Sequence, residues 1–441
     1  MNMTPKEIVS YLDQYIIGQF EAKKAIGIAL RNRYRRMQLD SVMQEEISPK
    51  NILMIGSTGV GKTEIARRLA KMLSLPFVKV EASKYTEVGF VGRDVESMVR
   101  DLVMASINLV KAEHKDKNRG AIDEYVEKKI IEKLLPPLPS GASESKKEDY
   151  KKSFEKMRQK FKNGELDDLE IEIELSGAGG EISDTSMPPE MIKVQESFLK
   201  ILSAKSESVK KEMKVKEAKD ALKSEASEKL LDFEAIKSEA LERAQNGGII
   251  FIDEIDKIAV SSKSSSRQDP SKEGVQRDLL PIVEGSDINT KYGVVKTDHV
   301  LFIAAGAFHL TKPSDLIPEL QGRFPQRVEL SSLSEDTLYK ILTQPKNSLL
   351  KQYEALLSTE GVELVFEDEA IRAIAKVSQL ANEKLEDIGA RRLHTVLERV
   401  IEDISFDADE HKGETITVTK ELVSQKLDEV ASDEDLSRYI L

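Results

Sequence analysis

The chain has 441 residues, 40% of them hydrophobic and 33% charged, with a formal net charge of −12 at pH 7. At ~100–200 residues per domain, this length gives two to four domains, each with a core of its own. The absence of cysteine excludes a disulfide scaffold, a thiol nucleophile and any cysteine-ligated metal centre, and the acidic balance argues against non-specific nucleic-acid binding as the main activity.

The N-terminal segment MNMTPKEIVSYLDQYIIGQ has neither the basic start nor the apolar run of a signal peptide. No stretch reaches the ~18–20 apolar residues of a membrane span; VLFIAAGAF at 300–308 comes nearest. A cytoplasmic protein is the expectation. Four short apolar runs then read as buried parallel strands: Asn51–Ile55, Phe77–Val80, Ile249–Ile252 and Val300–Ala304, with Arg327–Leu330 as a fifth. Helix-period stretches such as Glu64–Leu73 lie between them, and this alternation predicts an α/β fold with a parallel five-stranded sheet covered on both faces.

From about Val110 to Arg243 strands nearly vanish. The text is rich in Lys, Glu and Ala, reads as helical through 208–231, and is broken by loop-like PPLPSGASES (136–145) and LSGAGGEISDTSMPPE (175–190). The predicted organisation is therefore a nucleotide-binding domain at 1–109 plus 244–331, a helical insertion at 110–243, and a mainly helical C-terminal domain at 332–441. That last domain has one strand, TITVT at 415–419, and ends in an acidic tail.

Gly56-Ser-Thr-Gly-Val-Gly-Lys62-Thr63 is a GxxxxGK[ST] phosphate loop between a strand and a helix. Its glycines let backbone N–H groups wrap phosphates, Lys62 supplies a point charge, and the Thr63 hydroxyl reaches Mg²⁺. The second motif is Ile249-Ile-Phe-Ile-Asp253-Glu254, which sets two carboxylates at the C-terminal mouth of a strand, where open α/β sheets bind ligands. Asp253 suits the metal, and Glu254 suits polarisation of an attacking water, which makes the chain a hydrolase rather than only a binder. Asp256 and Lys257 read as local structure. Lys62 and Asp253 lie 253 − 62 = 191 positions apart, an excess that the insertion accounts for.

The order of these pieces resembles the AAA+ ATPases of the Clp family. The segments that carry the resemblance are YIIGQFEAKKAI (15–26), GSTGVGKTEIARRLAK (56–71), KYTEVGFVGRDVES (84–97), FIDEIDKI (251–258), EGVQRDLLPIVEG (273–285), KPSDLIPELQGRFP (312–325), IGARRLHTVLE (388–398) and DEDLSRYIL (433–441). They span the ATPase core and the C-terminal region; the insertion is similar mostly in position and composition, apart from LDDLEIEI at 166–173.

The resemblance implies a homo-hexameric ring that binds ATP and Mg²⁺ between subunits, unfolds protein substrates, and feeds them to a threonine-type peptidase that it activates. It is not itself a peptidase. On that likeness Ile17 lines the adenine pocket beside Val60, and Gly59, Val60, Gly61, Lys62, Thr63 and Glu64 surround the phosphates. Arg323 is an arginine finger reaching the neighbouring subunit, with Glu319 one helical turn earlier, and Arg391 is the sensor-two arginine. Gly89, Phe90, Val91 and Gly92 form a substrate-gripping pore loop, whereas an isolated Phe read without the resemblance is ordinary packing. Leu436, Arg438, Tyr439, Ile440 and Leu441 form a tail that docks on the peptidase. One departure is that the fourth strand ends in Ala304, Ala305 and Gly306, so no sensor-one side chain is assigned. The competing function is an AAA+ nucleic-acid remodeller, supported only by Arg31–Arg36 (RNRYRR); no groove-reading module is evident, and neither nucleic acid nor membrane is an expected partner.

Overall fold

The computed structural model describes residues 3–47, 49–87, 93–136, 143–175, 209–260 and 270–431. The predicted pore loop at 89–92 and the predicted docking tail at 436–441 lie outside them. The strands in chain order are β1 (Ile52–Ile55), β2 (Phe77–Glu81), β3 (Glu170–Leu175), β4 (Val209–Lys214), β5 (Ile249–Asp253), β6 (Asp287–Thr290), β7 (Gly293–Lys296), β8 (Leu301–Gly306), β9 (Gln326–Glu329), β10 (Glu363–Phe366) and β11 (Thr415–Val418).

All five strands predicted from apolar runs join one sheet, in the order β2-β5-β8-β1-β9, and every pairing is parallel. A parallel sheet is covered on both faces, so its strands are apolar throughout rather than alternating. All six residues of β8 are buried, as are Ile249 to Ile252 of β5. The register sets Ile55 beside Gly306 and Glu329, and Glu81 beside Asp253, so the strand ends that carry polar groups share one edge of the sheet. The helix Lys62–Met72 buries Ile65, Ala66, Leu69 and Ala70 on one stripe, as its 3.6-residue period requires.

Within the described residues the chain divides into two compact units, one of Met1–Leu102, Gln245–Asp287 and Lys296–Leu441, the other of Val103–Ala244 and Ile288–Val295. The first unit holds the central sheet. It also holds a second apolar cluster, in which the helices Glu335–Thr343, Asp368–Lys384 and Arg391–Phe406 pack Leu338, Ile374, Leu393, Val396, Leu397 and Val400 together. The TITVT segment is β11, and it pairs in parallel with β10, a strand not anticipated from the sequence.

The second unit corrects the reading of 110–243 as almost strandless. Residues 209–214, expected to open a helix, form β4, antiparallel to β3; the helix starts only at Val215. The physical reason lies in EIEIEL, whose period of two buries Ile171 and Ile173 against Met213, Ile122, Val126 and Ile130. The register also sets Glu170 opposite Lys214, a favourable cross-strand charge pair. Burial on one face outweighs the helix preference of Lys and Glu, because propensity yields to tertiary context.

Candidate nucleotide site

The loop after β1 turns at the C-terminal edge of the sheet. Gly59 and Gly61 hold φ of 76° and 104°, the left-handed region that favours glycine. Gly61 is also the N-cap of the helix Lys62–Met72 and offers no side-chain acceptor. The first-turn N–H groups are thus left for an incoming anion, which the helix dipole favours.

Lys62 is buried, and its ammonium donates to the carbonyls of Gly56 and, at 2.7 Å, of Ser57. Burial lowers its pKa below the ordinary lysine value, while Asp253 and Asp256 act in the opposite sense. Thr63 Oγ1 donates to Asp253 Oδ2 at 3.3 Å, so the hydroxyl and the carboxylate expected to share a cation are adjacent. No group of three His, Asp or Glu side chains suited to a metal occurs among the described residues. A single carboxylate and a hydroxyl match the way Mg²⁺ sits on nucleotides, where phosphates and water supply its other oxygens.

Glu254 occupies φ 56°, left-handed geometry that a non-glycine residue adopts at some cost. The turn is fixed by its own N–H, which donates to Asp253 Oδ1 at 3.1 Å. Its side chain takes a bond from Ser83 Oγ at 3.3 Å and pairs with Lys257 Nζ at 2.7 Å. Asp253 and Glu254 therefore diverge: Asp253, 18% exposed, faces Thr63, while Glu254, 38% exposed, turns toward Ser83 and Lys257.

Three features here escaped the sequence reading. Lys79 on β2 pairs with Asp253 Oδ2 at 2.8 Å; a lysine inside the apolar run FVKV was its signal. Lys257, read as local structure, touches Glu254 directly and has its pKa raised chiefly by that bond. Asp256 does serve structure, accepting from the Phe308 N–H at 3.2 Å. Gly306, at the expected sensor-one strand end, is crowded: a Cβ there would stand 2.7 Å from the Phe308 ring and 2.8 Å from Asp256 Oδ1, so both side chains would have to shift.

The third feature joins the phosphate loop to the C-terminal region. Ala390 N donates to Gly59 O at 3.2 Å, and a Cβ on Gly59 would come within 2.0 Å of Ile388 O. Only glycine permits this backbone approach. Arg391 follows immediately, and its charge reaches Lys62 strongly enough to depress that lysine further. Val60 is buried in one cluster with Ile16, which sits 3.8 Å from a Cβ position on Gly61. The neighbouring Ile17 is half-buried, and Glu64 spends its carboxylate on Arg67 and Arg68. Arg323 and Glu319 stand apart from this constellation. Arg323 is half exposed and pairs with Glu284 at 2.7 Å, and Glu319 is exposed on the same short helix, Pro318–Arg323. The basic hexad Arg31–Arg36 is not an exposed stripe, since Arg33 and Arg36 are buried.

A parallel five-stranded sheet with a phosphate loop, an Asp-Glu strand end and a helical C-terminal region defines an AAA+ P-loop ATPase. Comparison with known families agrees. Residues 52–124 match "ATPase family associated with various cellular activities (AAA)", 170–327 match "AAA domain (Cdc48 subfamily)", and 333–408 match "C-terminal, D2-small domain, of ClpB protein". Two curated relatives bear the name "ATP-dependent protease ATPase subunit HslU". The one from Campylobacter jejuni subsp. jejuni serotype O:6 is 67% identical with both chains covered completely, and the one from Helicobacter pylori (strain ATCC 700392 / 26695) is 66% identical over all of this chain and 99% of its own. The chain belongs to the HslU family of protease-associated ATPases. Among the described residues no helix is long and apolar enough to cross a membrane.

Proposed function

We propose that the chain works as a homo-hexameric ring in the cytoplasm that hydrolyses ATP with Mg²⁺, unfolds protein substrates, and delivers them to an HslV-type threonine peptidase. The observation that carries this reading is the phosphate loop set against the Asp253–Glu254 strand end, with Thr63 Oγ1 donating to Asp253 Oδ2 at 3.3 Å. The backbone bond from Ala390 to Gly59 also ties that loop to the segment that opens the helix Arg391–Phe406. Lys62 and the helix N-terminus hold the phosphates, Mg²⁺ beside Thr63 and Asp253 neutralises phosphate charge, and Glu254 takes the proton of the attacking water. Arg391 adds charge from the same chain.

Arg323 fits a role toward the neighbouring subunit because it is solvent-accessible and held only by a surface pair, worth little to the fold. Glu319, exposed on the same helix, belongs to that interface, and Ile17 belongs to the adenine pocket. The division into ATPase domain (1–109 plus 244–331), insertion (110–243) and C-terminal domain (332–441) assigns hydrolysis to the first. In this reading Gly89, Phe90, Val91 and Gly92 grip the substrate chain, and Leu436, Arg438, Tyr439, Ile440 and Leu441 dock on the peptidase.

The test is degradation of a stable folded protein by the chain plus an HslV-type peptidase, with and without ATP. Deleting Glu434–Leu441 should leave ATP turnover within twofold of the full chain and abolish peptidase stimulation. Undiminished stimulation by the truncated chain would put the docking surface elsewhere.

A further inference from the structure

At the end of the sheet opposite the phosphate loop, where β8 and β9 begin, lies a cavity of about 530 Å³. Four cationic side chains line it: Arg33, Arg35, Arg36 and Lys50. Among the described residues no acidic side chain does. In a chain of net charge −12 this is a pronounced local reversal.

Arg33 is held by three backbone carbonyls, those of Gly247 at 2.9 Å, Gly248 at 2.7 Å and His299 at 2.6 Å, and its buried Nε has no hydrogen-bond partner among the described residues. Arg36 donates through Nε to Gln44 O at 2.7 Å. Burial, and then the charge of Arg36, push the Arg33 guanidinium down to about 9; burial lowers Arg36, and among the described residues no carboxylate counters either shift. Elsewhere the same helix follows the ordinary rule, since buried Lys23 has Asp13 at 2.6 Å. The C-terminal end of the helix Phe20–Arg36 offsets part of the excess, but a helix dipole is worth about half a charge.

We propose that this cavity is a second anion site, distinct from the phosphate loop, that takes a small phosphate-bearing molecule. Guanidinium groups match phosphate oxygens in pairs, and four clustered cations with no acidic side chain described beside them supply the charge such a ligand needs. The volume exceeds one phosphate and falls in the ~300–1,000 Å³ range of small-molecule sites. Ile28, Leu39 and Pro325 supply apolar wall for the rest of the ligand. Because Arg33 clips the residues that lead into β5 and β8, occupancy stabilises the sheet from its entry edge by mass action.

The probe is inorganic pyrophosphate, titrated calorimetrically into the full-length protein saturated with ADP, magnesium-free and at constant ionic strength. The expected result is one pyrophosphate per chain beyond ADP, with a raised unfolding midpoint. The double variant Arg35→Gln/Lys50→Gln removes two exposed charges that the fold does not need. It should weaken pyrophosphate at least tenfold while leaving ADP binding and the ligand-free midpoint unchanged. Lys62→Thr should retain the pyrophosphate site. No binding beyond ADP, equal affinity in the double variant, or equal stabilisation by chloride overturns the proposal. Normal pyrophosphate binding joined to failed ring assembly in the double variant also overturns it, because the cavity then serves a carboxylate of a second copy of the chain.

Discussion

The two ends of the central sheet each bury a cation that donates to backbone carbonyls, and they treat it differently. Lys62 at the C-terminal edge bonds to Gly56 and Ser57 with Asp253 and Asp256 close enough to support its charge. Arg33 at the N-terminal edge bonds to Gly247, Gly248 and His299 with another arginine as its charged neighbour. A lysine supported by carboxylates is a point charge poised to trade carbonyl partners for phosphate. An arginine on three carbonyls is first a clip, because its planar fork fixes three strand-leading residues at once. In the proposed mechanism Lys62 serves the nucleotide, whereas Arg33 ties strand-leading segments whether or not the cavity it lines is occupied.

Removing each cation sharpens the contrast. Lys62→Thr should reduce nucleotide affinity by about a thousandfold, since it deletes the charge at the phosphates, while the nucleotide-free unfolding midpoint falls less than for Arg33, because two carbonyls and not three lose a donor. Equilibrium nucleotide binding checks it; near-normal affinity would assign the phosphates to backbone N–H groups alone. Arg33→Met should behave in reverse, with nucleotide affinity in the surviving folded protein within a few-fold of normal and stability lower by about 3 kcal/mol as buried carbonyls lose their donor. Denaturant titration reads this directly, and an unchanged midpoint would break the account of Arg33 as a clip. The smallest effect belongs to Lys257→Met. Its pair with Glu254 is largely exposed, so turnover should change by less than tenfold and nucleotide affinity not at all. A larger loss in steady-state phosphate release would make Lys257 part of the chemistry.

How legible the molecule was from sequence depends on the kind of signal. The five sheet strands announced themselves because both-face burial demands uninterrupted apolar runs, and NILMI or IIFI has few other uses. β3 and β4 were hidden because a strand buried on one face spends half its residues on charge, and VKKEMK then resembles a solvated helix. β10 was missed because four residues between helices carry little periodic signal. Within the site, the phosphate loop and the Asp-Glu pair were readable because each role is bound to residue type and spacing. Lys79 and Ser83 were not, since they reach Asp253 and Glu254 only through the pairing of β2 with β5. The bond from Ala390 to Gly59 is backbone to backbone, so its only trace in the sequence is the pair of glycines, Gly59 and Gly389, that permits the approach.

In the proposed mechanism Glu254 handles the water while Lys62, Thr63 and Asp253 handle the nucleotide. Glu254→Gln separates the two roles when ATP affinity and phosphate release are measured on one preparation. Affinity should stay within threefold of the unmodified chain and turnover should fall by about 10²–10⁴-fold, because the amide keeps the shape and cannot accept the proton. Turnover retained above a tenth, with affinity intact, would contradict it and move the base to another residue.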